Sequence, residues 1–368
     1  SDIHIEPFEK QVRIRYRIDG ILREMTPLPV KLKAAVVSRI KIMARLDISE
    51  RRLPQDGRIK IQTQGRAIDL RVSVLPCIWG EKVVMRILDP KALMLDITKL
   101  GFPERALKEF HKAITMPYGM VLVTGPTGSG KTTTLYSALQ VLNTPYVNIM
   151  TAEDPVEFNI DGINQVQVHP EIGLTFASAL RAFLRQDPNI ILVGEIRDLE
   201  TADIAIKAAL TGHLVFSTLH TNDTASSITR LLDLGIEPFL ISSTVVGIVA
   251  QRLVRKICPH CKKEIELNED DLKMLGIPVK DREKHYQVWT GEGCLECRHT
   301  GYLGRTGIFE VMEMTDKIKK LTNLRAPGTE IKKSAIDEGM MTLREIAIKK
   351  LGLGITTLEE VLRITAEE

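Results

Sequence analysis

Residues 125–132 read Gly-Pro-Thr-Gly-Ser-Gly-Lys-Thr, and the apolar run Met120-Val-Leu-Val-Thr124 precedes them. The spacing is G-x-x-x-x-G-K-[ST], which is that of a phosphate-binding loop. Its glycines let backbone N–H groups close around phosphate oxygens, and the helix that follows adds partial positive charge at its N-terminus. Gly125, Pro126, Thr127, Gly128, Ser129, Gly130, Lys131, Thr132 and Thr133 are therefore expected to hold a nucleoside triphosphate. Lys131 would reach the β- and γ-phosphates, and the Thr132 hydroxyl would ligate Mg²⁺.

Such a loop needs an acidic partner for Mg²⁺ and a group that positions the attacking water. Two acidic clusters qualify: Thr151-Ala-Glu-Asp-Pro-Val-Glu157, and Glu195 at the end of Ile190-Ile-Leu-Val-Gly. A carboxylate capping an apolar strand reads as the Mg²⁺ acid, with a solvated strand end as the alternative for Glu195. Composition does not choose among Glu153, Asp154 and Glu157, and at least one of them reads as a solvated charge or a helix cap. His213 and His220 flank a third apolar strand in Thr211-Gly-His-Leu-Val-Phe-Ser-Thr-Leu-His220. They read as lying on the same side of the switch region, placed to sense or orient the γ-phosphate. His4, His111 and His285 read as ordinary core or surface residues.

Four of the five cysteines form two pairs, Cys258-Pro-His-Cys261 and Cys294-Leu-Glu-Cys297. Paired Cys-x-x-Cys spacing makes a closed tetrahedral Zn²⁺ site of structural type and points to a reducing compartment. His260 and His299 compete for a ligand place, but four thiolates already complete the shell. Between the pairs, Glu264, Glu266, Glu269, Asp270 and Asp271 make an acidic face that would repel phosphates. Cys77 is left over in an apolar, strand-like stretch and reads as a small core residue.

The elements that must position these groups divide into two regions. The 368 residues suffice for two or three domains, and 44% apolar with 26% charged residues is ordinary for a soluble globular protein. A formal charge of +3 argues against non-specific nucleic-acid binding. No apolar run reaches the roughly 18 residues of a membrane span. The longest candidate, Phe239–Ala250, reads as a core helix. There is no signal-like N-terminus, and a polar stretch leads straight into Ile3-His4-Ile5-Glu6, as if the chain began inside a domain with an upstream part missing.

Residues 1–88 read as a small α/β domain. Val12–Ile18 alternates with period two before an Asp19-Gly20 hairpin turn, residues 30–46 have helical spacing, and strands are expected at Gly57–Gln62, Ala67–Leu75 and Lys82–Leu88. Residues 89–101, from Asp89-Pro90, read as a linker and hinge. From Phe102, short apolar strands (Val121–Thr124, Val147–Ala152, Ile190–Gly194, Leu214–Thr218) alternate with amphipathic segments, which predicts a parallel sheet with helices on both faces. Residues 255–312 interrupt this pattern with the cysteine module. Helical periodicity returns over 315–366, where Thr356–Glu360 opens a last helix in capping-box style.

In combination, Gly125–Thr132, Glu153–Glu157, Leu184-Arg-Gln-Asp-Pro188, Val193–Asp198 and Thr211–Asn222 closely resemble the secretion ATPases that drive type II secretion and type IV pilus assembly. The resemblance runs from Ser1-Asp-Ile-His-Ile-Glu6 to the last helix. It implies an α/β fold: a RecA-like P-loop motor domain with an inserted zinc module, preceded by a small α/β, PAS-like domain. It implies Glu157 as the general base toward water, Glu195 as the atypical acid supporting Mg²⁺, Glu153 at the nucleotide, and His213 and His220 as the histidine box. It also implies arginine fingers at Arg71 and Arg86, which read alone would be outward, solvated residues. An arginine reaching transferring phosphates is worth ~10³–10⁵ in rate, enough for the angle between the domains to gate hydrolysis. Arg181, Arg185 and Arg197 are further candidates for the same positive site. Asn189 departs from the family's usual Asp.

The implied protein is a cytoplasmic homo-hexamer using ATP/ADP, Mg²⁺ and Zn²⁺, peripheral to the inner membrane and docked on a platform protein, with no direct nucleic-acid contact. The zinc module, which the family uses toward the platform and its retraction motors lack, favours pilus extension or type II secretion. Residues 174–185 and 198–207 look closer to extension motors. A nucleic-acid translocase gripping through the zinc ribbon and a non-hydrolysing nucleotide-gated adaptor are rival readings.

Overall fold

A computed structural model describes residues 1–63, 66–88, 95–277 and 287–366. The chain divides into two compact units, Ser1–Leu93 and Met94–Glu368. The expected hinge at Asp89-Pro90 and the side chain of His285 lie outside the described residues.

The first unit is an antiparallel sheet with one helix. Its strands are β1 (Asp2–Pro7), β2 (Val12–Ile18), β3 (Ile21–Glu24), β4 (Gln55–Thr63), β5 (Arg66–Cys77) and β6 (Gly80–Leu88), with α1 (Lys33–Met43) between β3 and β4. They lie in the order β3-β2-β1-β6-β5-β4. The period-two pattern sends one set of side chains to each face. Ile5, Val12, Ile59, Leu70, Val72, Val74, Val83 and Met85 form the core with Val37 and Ile40 of α1. The residues between them carry the charges. The same parity corrects the reading of Cys77. It shares a face with Arg71 and Ser73 rather than with Val72 and Val74, and it is exposed at the end of β5.

The second unit begins at residues that read as linker. The Leu100 carbonyl accepts from the Gly307 N–H, and Phe102 stacks on Phe309 and Phe110 at 3.6 and 5.1 Å between centroids. After α2 (Glu104–Ile114) come β7 (Gly119–Thr124), α3 (Lys131–Leu142), β8 (Ile149–Glu153), β9 (Asn164–Gln167), α4 (Phe176–Phe183), β10 (Ile190–Val193), α5 (Leu199–Leu210) and β11 (Leu214–Leu219). Then follow α6 (Thr224–Asp233), α7 (Pro238–Thr244) and the long strand β12 (Val245–Ile257). The sheet order is β15-β12-β7-β11-β10-β8-β9, parallel throughout except for the outer pair β12 with β15 (Tyr302–Glu313). Met120 and Leu122 join the cluster formed with α4 to α7, while the equally buried Val121 and Val123 face the other side, so β7 is covered on both faces.

The core helix expected over Phe239–Ala250 is thus corrected: α7 ends at Thr244, and the β-branched run Val245, Val246, Ile248, Val249 pairs beside β7 as a strand. The cysteine module sits between β12 and β15. It contains the antiparallel pair β13 (Lys262–Glu266) and β14 (Gln287–Gly291) with α8 (Glu269–Leu275) between them. The C-terminal part is α9 (Asp316–Asn323), α10 (Gly328–Asp337), α11 (Leu343–Gly352) and α12 (Leu358–Ile364). Thr357 caps α12 by accepting from the Glu360 N–H at 3.3 Å. The Glu360 carboxylate does not complete a capping box; it turns instead to Arg255 and Arg363.

Candidate functional site

Parallel strands in register end together. Thr124 of β7 lies opposite Leu219 of β11, and Val193 of β10 opposite Ser217 and Ala152. The segments that follow these ends are the glycine loop, His220, Glu195 and the Glu153–Glu157 stretch. The carboxyl ends of strands in an open α/β sheet are where such folds bind ligands. The sheet therefore assembles at one edge groups that lie up to 95 residues apart (220 − 125) in the chain.

Gly130 is the N-cap of α3 and holds a left-handed φ of +92°, which a side chain would resist. Lys131 folds back over the loop, donating to the Gly125 carbonyl at 2.7 Å and the Pro126 carbonyl at 3.2 Å. Burial pushes its ammonium down to about 8, and the Arg252 charge adds to the fall while Glu195 opposes it. A multiply charged anion beside Lys131 would push the value back up.

Glu195, with a side chain only 12% exposed, accepts from Arg197 Nη2 at 2.6 Å and lies 3.1 Å from His220 Nε2. The hydrogen bond and charge of Glu195 in turn raise the Arg197 pKa. The loop carrying His220 is tied to the phosphate-loop strand, because the Thr221 N–H donates to Thr124 Oγ1 at 2.8 Å. Glu195, Arg197 and His220 thus form one cluster at the sheet edge that carries the phosphate loop, and the Glu195 charge acts on Lys131.

His213 does not join it, which corrects the reading of both histidines on one side. His213 precedes β11 and His220 follows it, and a six-residue strand separates its ends by roughly 20 Å. His213 Nδ1 instead lies 2.9 Å from the Ala208 carbonyl at the end of α5. Arg181 pairs with Glu200 at 2.5 Å, joining α4 to α5, and Arg185 donates to the Arg181 carbonyl of α4 at 2.8 Å.

Among the three clustered acids, Asp154 is exposed and Glu157 half-buried. Glu153 is buried, and protein donors occupy its carboxylate: Thr151 Oγ1 at 2.5 Å, Gln165 Nε2 at 3.1 Å and the Tyr136 hydroxyl. Burial and the Glu153 charge both raise the Tyr136 pKa. Glu153 thereby locks α3 to β8 and β9. Tyr136, Gln165 and Thr124 carry no local motif, and nothing in the sequence order singles them out.

Arg71 and Arg86 stand directly opposite each other on β5 and β6. The register extends the row across the sheet: Arg58 opposite Arg71, Asp2 opposite Arg86, and Arg17 opposite Asp2. Asp2 accepts from Arg86 at 3.1 Å and pairs with Arg17 at 3.2 Å. Arg86 is exposed and Arg71 half-buried. His4, on the same face as Asp2, has both ring nitrogens buried without a partner among the described residues, which differs from the satisfied histidine expected there.

In the cysteine module the four sulfurs of Cys258, Cys261, Cys294 and Cys297 lie within 4.8 Å of one another. Cys258–Cys294 and Cys261–Cys297 are 3.8 Å apart and Cys294–Cys297 3.7 Å. A tetrahedron with metal–sulfur bonds of ~2.3 Å has edges of about 3.8 Å. Burial pushes the Cys261 thiol up to about 12, whereas the N–H groups of Cys294 and Gly301 outweigh burial at Cys297 and bring it to about 6. The donor set and its spacing fit a tetrahedral thiolate-bound metal.

The family described as Type II/IV secretion system protein matches residues 1–363. The chain belongs to this family. It is 57% identical to the type IV pilus assembly ATPase PilB of Myxococcus xanthus, covering all of this chain and 65% of that protein. It is 51% identical to the type II secretion system ATPase E of Vibrio cholerae, covering all of this chain and 72% of that protein. The chain therefore spans about two thirds of the length of the curated relatives it matches. The crystal structure of the pilus retraction motor PilT with bound ADP superposes with a TM-score of 0.65 at 26% identity, over 99% of this chain and 92% of that one. The ATPase DotB of Legionella pneumophila shares the fold with a TM-score of 0.72 at 22% identity, over 100% and 92%. Among the described residues no helix is long and apolar enough to cross a membrane.

Proposed function

We propose that this chain is the motor part of a Mg²⁺-dependent ATPase that drives type IV pilus extension as a homo-hexamer on an inner-membrane platform at its cytoplasmic face. The observation that carries the reading is the phosphate loop with Lys131 beside the Glu195–Arg197–His220 cluster at the carboxyl edge of the parallel sheet. In this reading the phosphates take Lys131 from the Gly125 and Pro126 carbonyls. Thr132 and Glu195 would hold Mg²⁺, which when bound would supply charge neutralisation to the phosphates. Glu157, on the loop after β8, takes the proton of the attacking water. Glu153 acts through packing, keeping α3 and that loop in place, and His220 orients Glu195. Arg71 and Arg86 supply positive charge to the transferring phosphoryl group. Arg181, Arg185 and His213 stand outside this chemistry. The four cysteines would hold a Zn²⁺, which would supply folding energy to the module.

Type II secretion is the second reading, favoured by relatives of that class at 51–52% identity. The two separate in the source bacterium carrying Lys131→Ala, by counting surface pili and assaying secreted proteins. Loss of pili with normal secretion is expected. Normal pili with exoproteins trapped inside would transfer the assignment to type II secretion.

A further inference from the structure

Gln251 lies outside the G-x-x-x-x-G-K-[ST] loop by more than a hundred residues, yet it is the residue on which that loop is wound. It follows Ala250, the last residue of β12 opposite β7, where Ala250 pairs with Thr124. Its side chain is 1% exposed. Its Nε2 donates to the Ser129 carbonyl at 2.7 Å. The loop closes on it from both ends. A Cβ on Gly125 would strike the Gln251 backbone oxygen, and a Cβ on Gly130 would lie 3.1 Å from Gln251 Nε2.

We propose that Gln251 is a positioning residue for phosphate binding, holding the Ser129–Gly130 peptide so that the Gly130 N–H faces the nucleotide phosphates. A single peptide plane sets this orientation. In a planar trans peptide the C=O of one residue and the N–H of the next point in opposite directions. The Ser129–Gly130 bond is trans, since the only cis bond among the described residues is Asp154–Pro155. Anchoring the Ser129 carbonyl on the Gln251 amide therefore turns the Gly130 N–H away from β12. No acceptor among the described residues takes that N–H. If the plane flipped, a carbonyl oxygen would replace the N–H and repel the phosphate. The amide must present its nitrogen, because its oxygen on the Ser129 carbonyl would be repulsive. Accordingly, Gln251 Oε1 is left buried without a partner. This role rests on the nucleotide reading of the loop.

The test is binding of ADP and of adenosine to the purified chain, by calorimetry and saturation-transfer NMR respectively. It compares wild type with Gln251→Met, which keeps length and shape but removes the donor, and with Gln251→Glu, which puts an acceptor against the carbonyl. ADP affinity is expected to fall about tenfold in Gln251→Met and further in Gln251→Glu, with adenosine binding nearly unchanged, while the ligand-free melting temperature falls in both and more in Gln251→Glu, because the buried Ser129 carbonyl loses its donor. ADP affinity within twofold of wild type in both variants overturns the role. So does a parallel loss of ADP and adenosine, which would mark a general packing defect. If one variant does not fold, the other decides by the same criteria. A wild-type chain that binds no ADP would sink the nucleotide reading itself, a result distinct from an unaffected variant.

Discussion

In the seven-stranded sheet, β7, β10 and β11 are buried along their whole length, so their side chains pack and only the residues beyond their ends are free to do chemistry. In the six-stranded sheet one face packs on α1, and the other carries Arg17, Asp2, Arg86, Arg71 and Arg58 side by side in one transverse row. Like charges directly opposite each other in a sheet are destabilising; Asp2 offsets part of this at Arg86, and a multiply charged anion would offset more beside Arg71. In the proposed reading one sheet displays function at an edge and the other on a face. The two therefore call for different experiments.

The largest expected effect tests whether the cysteine module stands apart from both. It hangs on β12 and β15, the outer pair of the parallel sheet, and shares a small core with α11 and α12 through Leu275 and Val288. Structural zinc contributes about 10–16 kcal/mol in small peptides. Wild-type chain should carry one zinc per molecule by elemental analysis, and Cys297→Ser should lose it and expose residues 258–301 to protease. ADP affinity at the sheet edge should stay within a few-fold. Wild-type chain without zinc would remove the metal assignment. Loss of ADP binding with the metal would show that the module and the edge are one cooperative unit.

Next in size is the open face. Arg71→Ala or Arg86→Ala should lower turnover at saturating ATP by ~10³ or more while leaving ADP affinity nearly intact. Arg71→Lys should recover little, because a point charge does not replace a planar fork. Turnover persisting in both alanine variants would reduce the row to surface charge and erase the contrast between the sheets.

That contrast also explains which features are legible along the chain. A strand end is a linear feature, and the run Met120–Thr124 followed by glycines, or Ile190–Val193 followed by Gly194 and Glu195, announces itself in order. The row of arginines depends on register across five strands, which no spacing along the chain encodes. Arg71 and Arg86 therefore read as solvated residues, and only a family resemblance singles them out. His213 misleads for a related reason: two histidines flanking a strand look equivalent in one dimension, and a six-residue strand puts them at opposite edges. β12 is hidden because a twelve-residue apolar run satisfies a helix and a buried strand alike, and its partner β15 lies beyond the cysteine module.

The smallest effects compare two ion clusters, one from each unit. Glu360 is fully buried and accepts from the Arg255 N–H and Nη2 at 2.9 and 2.7 Å and from Arg363 Nε and Nη2 at 2.7 and 2.8 Å. Burial alone would raise its pKa, but the hydrogen bonds from Arg363 and Arg255 outweigh it and bring the value from 4.5 to about 2. A carboxylate depressed in the folded state contributes stability above its unfolded pKa, and that stability is lost as pH falls through the folded value. Melting temperature should therefore drop as pH is lowered from about 4.5 toward 2, and Glu360→Gln should flatten that drop. At neutral pH the variant should lose about 3 kcal/mol. Asp2 is also buried and faces two arginines, but their side chains are 51% and 35% exposed, so water can reach the cations when Asp2 is lost. Asp2→Asn should cost under about 1 kcal/mol. Equal losses in the two variants would mean that the arginine row is clamped as tightly as a structural cluster, and an open face ready to receive an anion would no longer describe it.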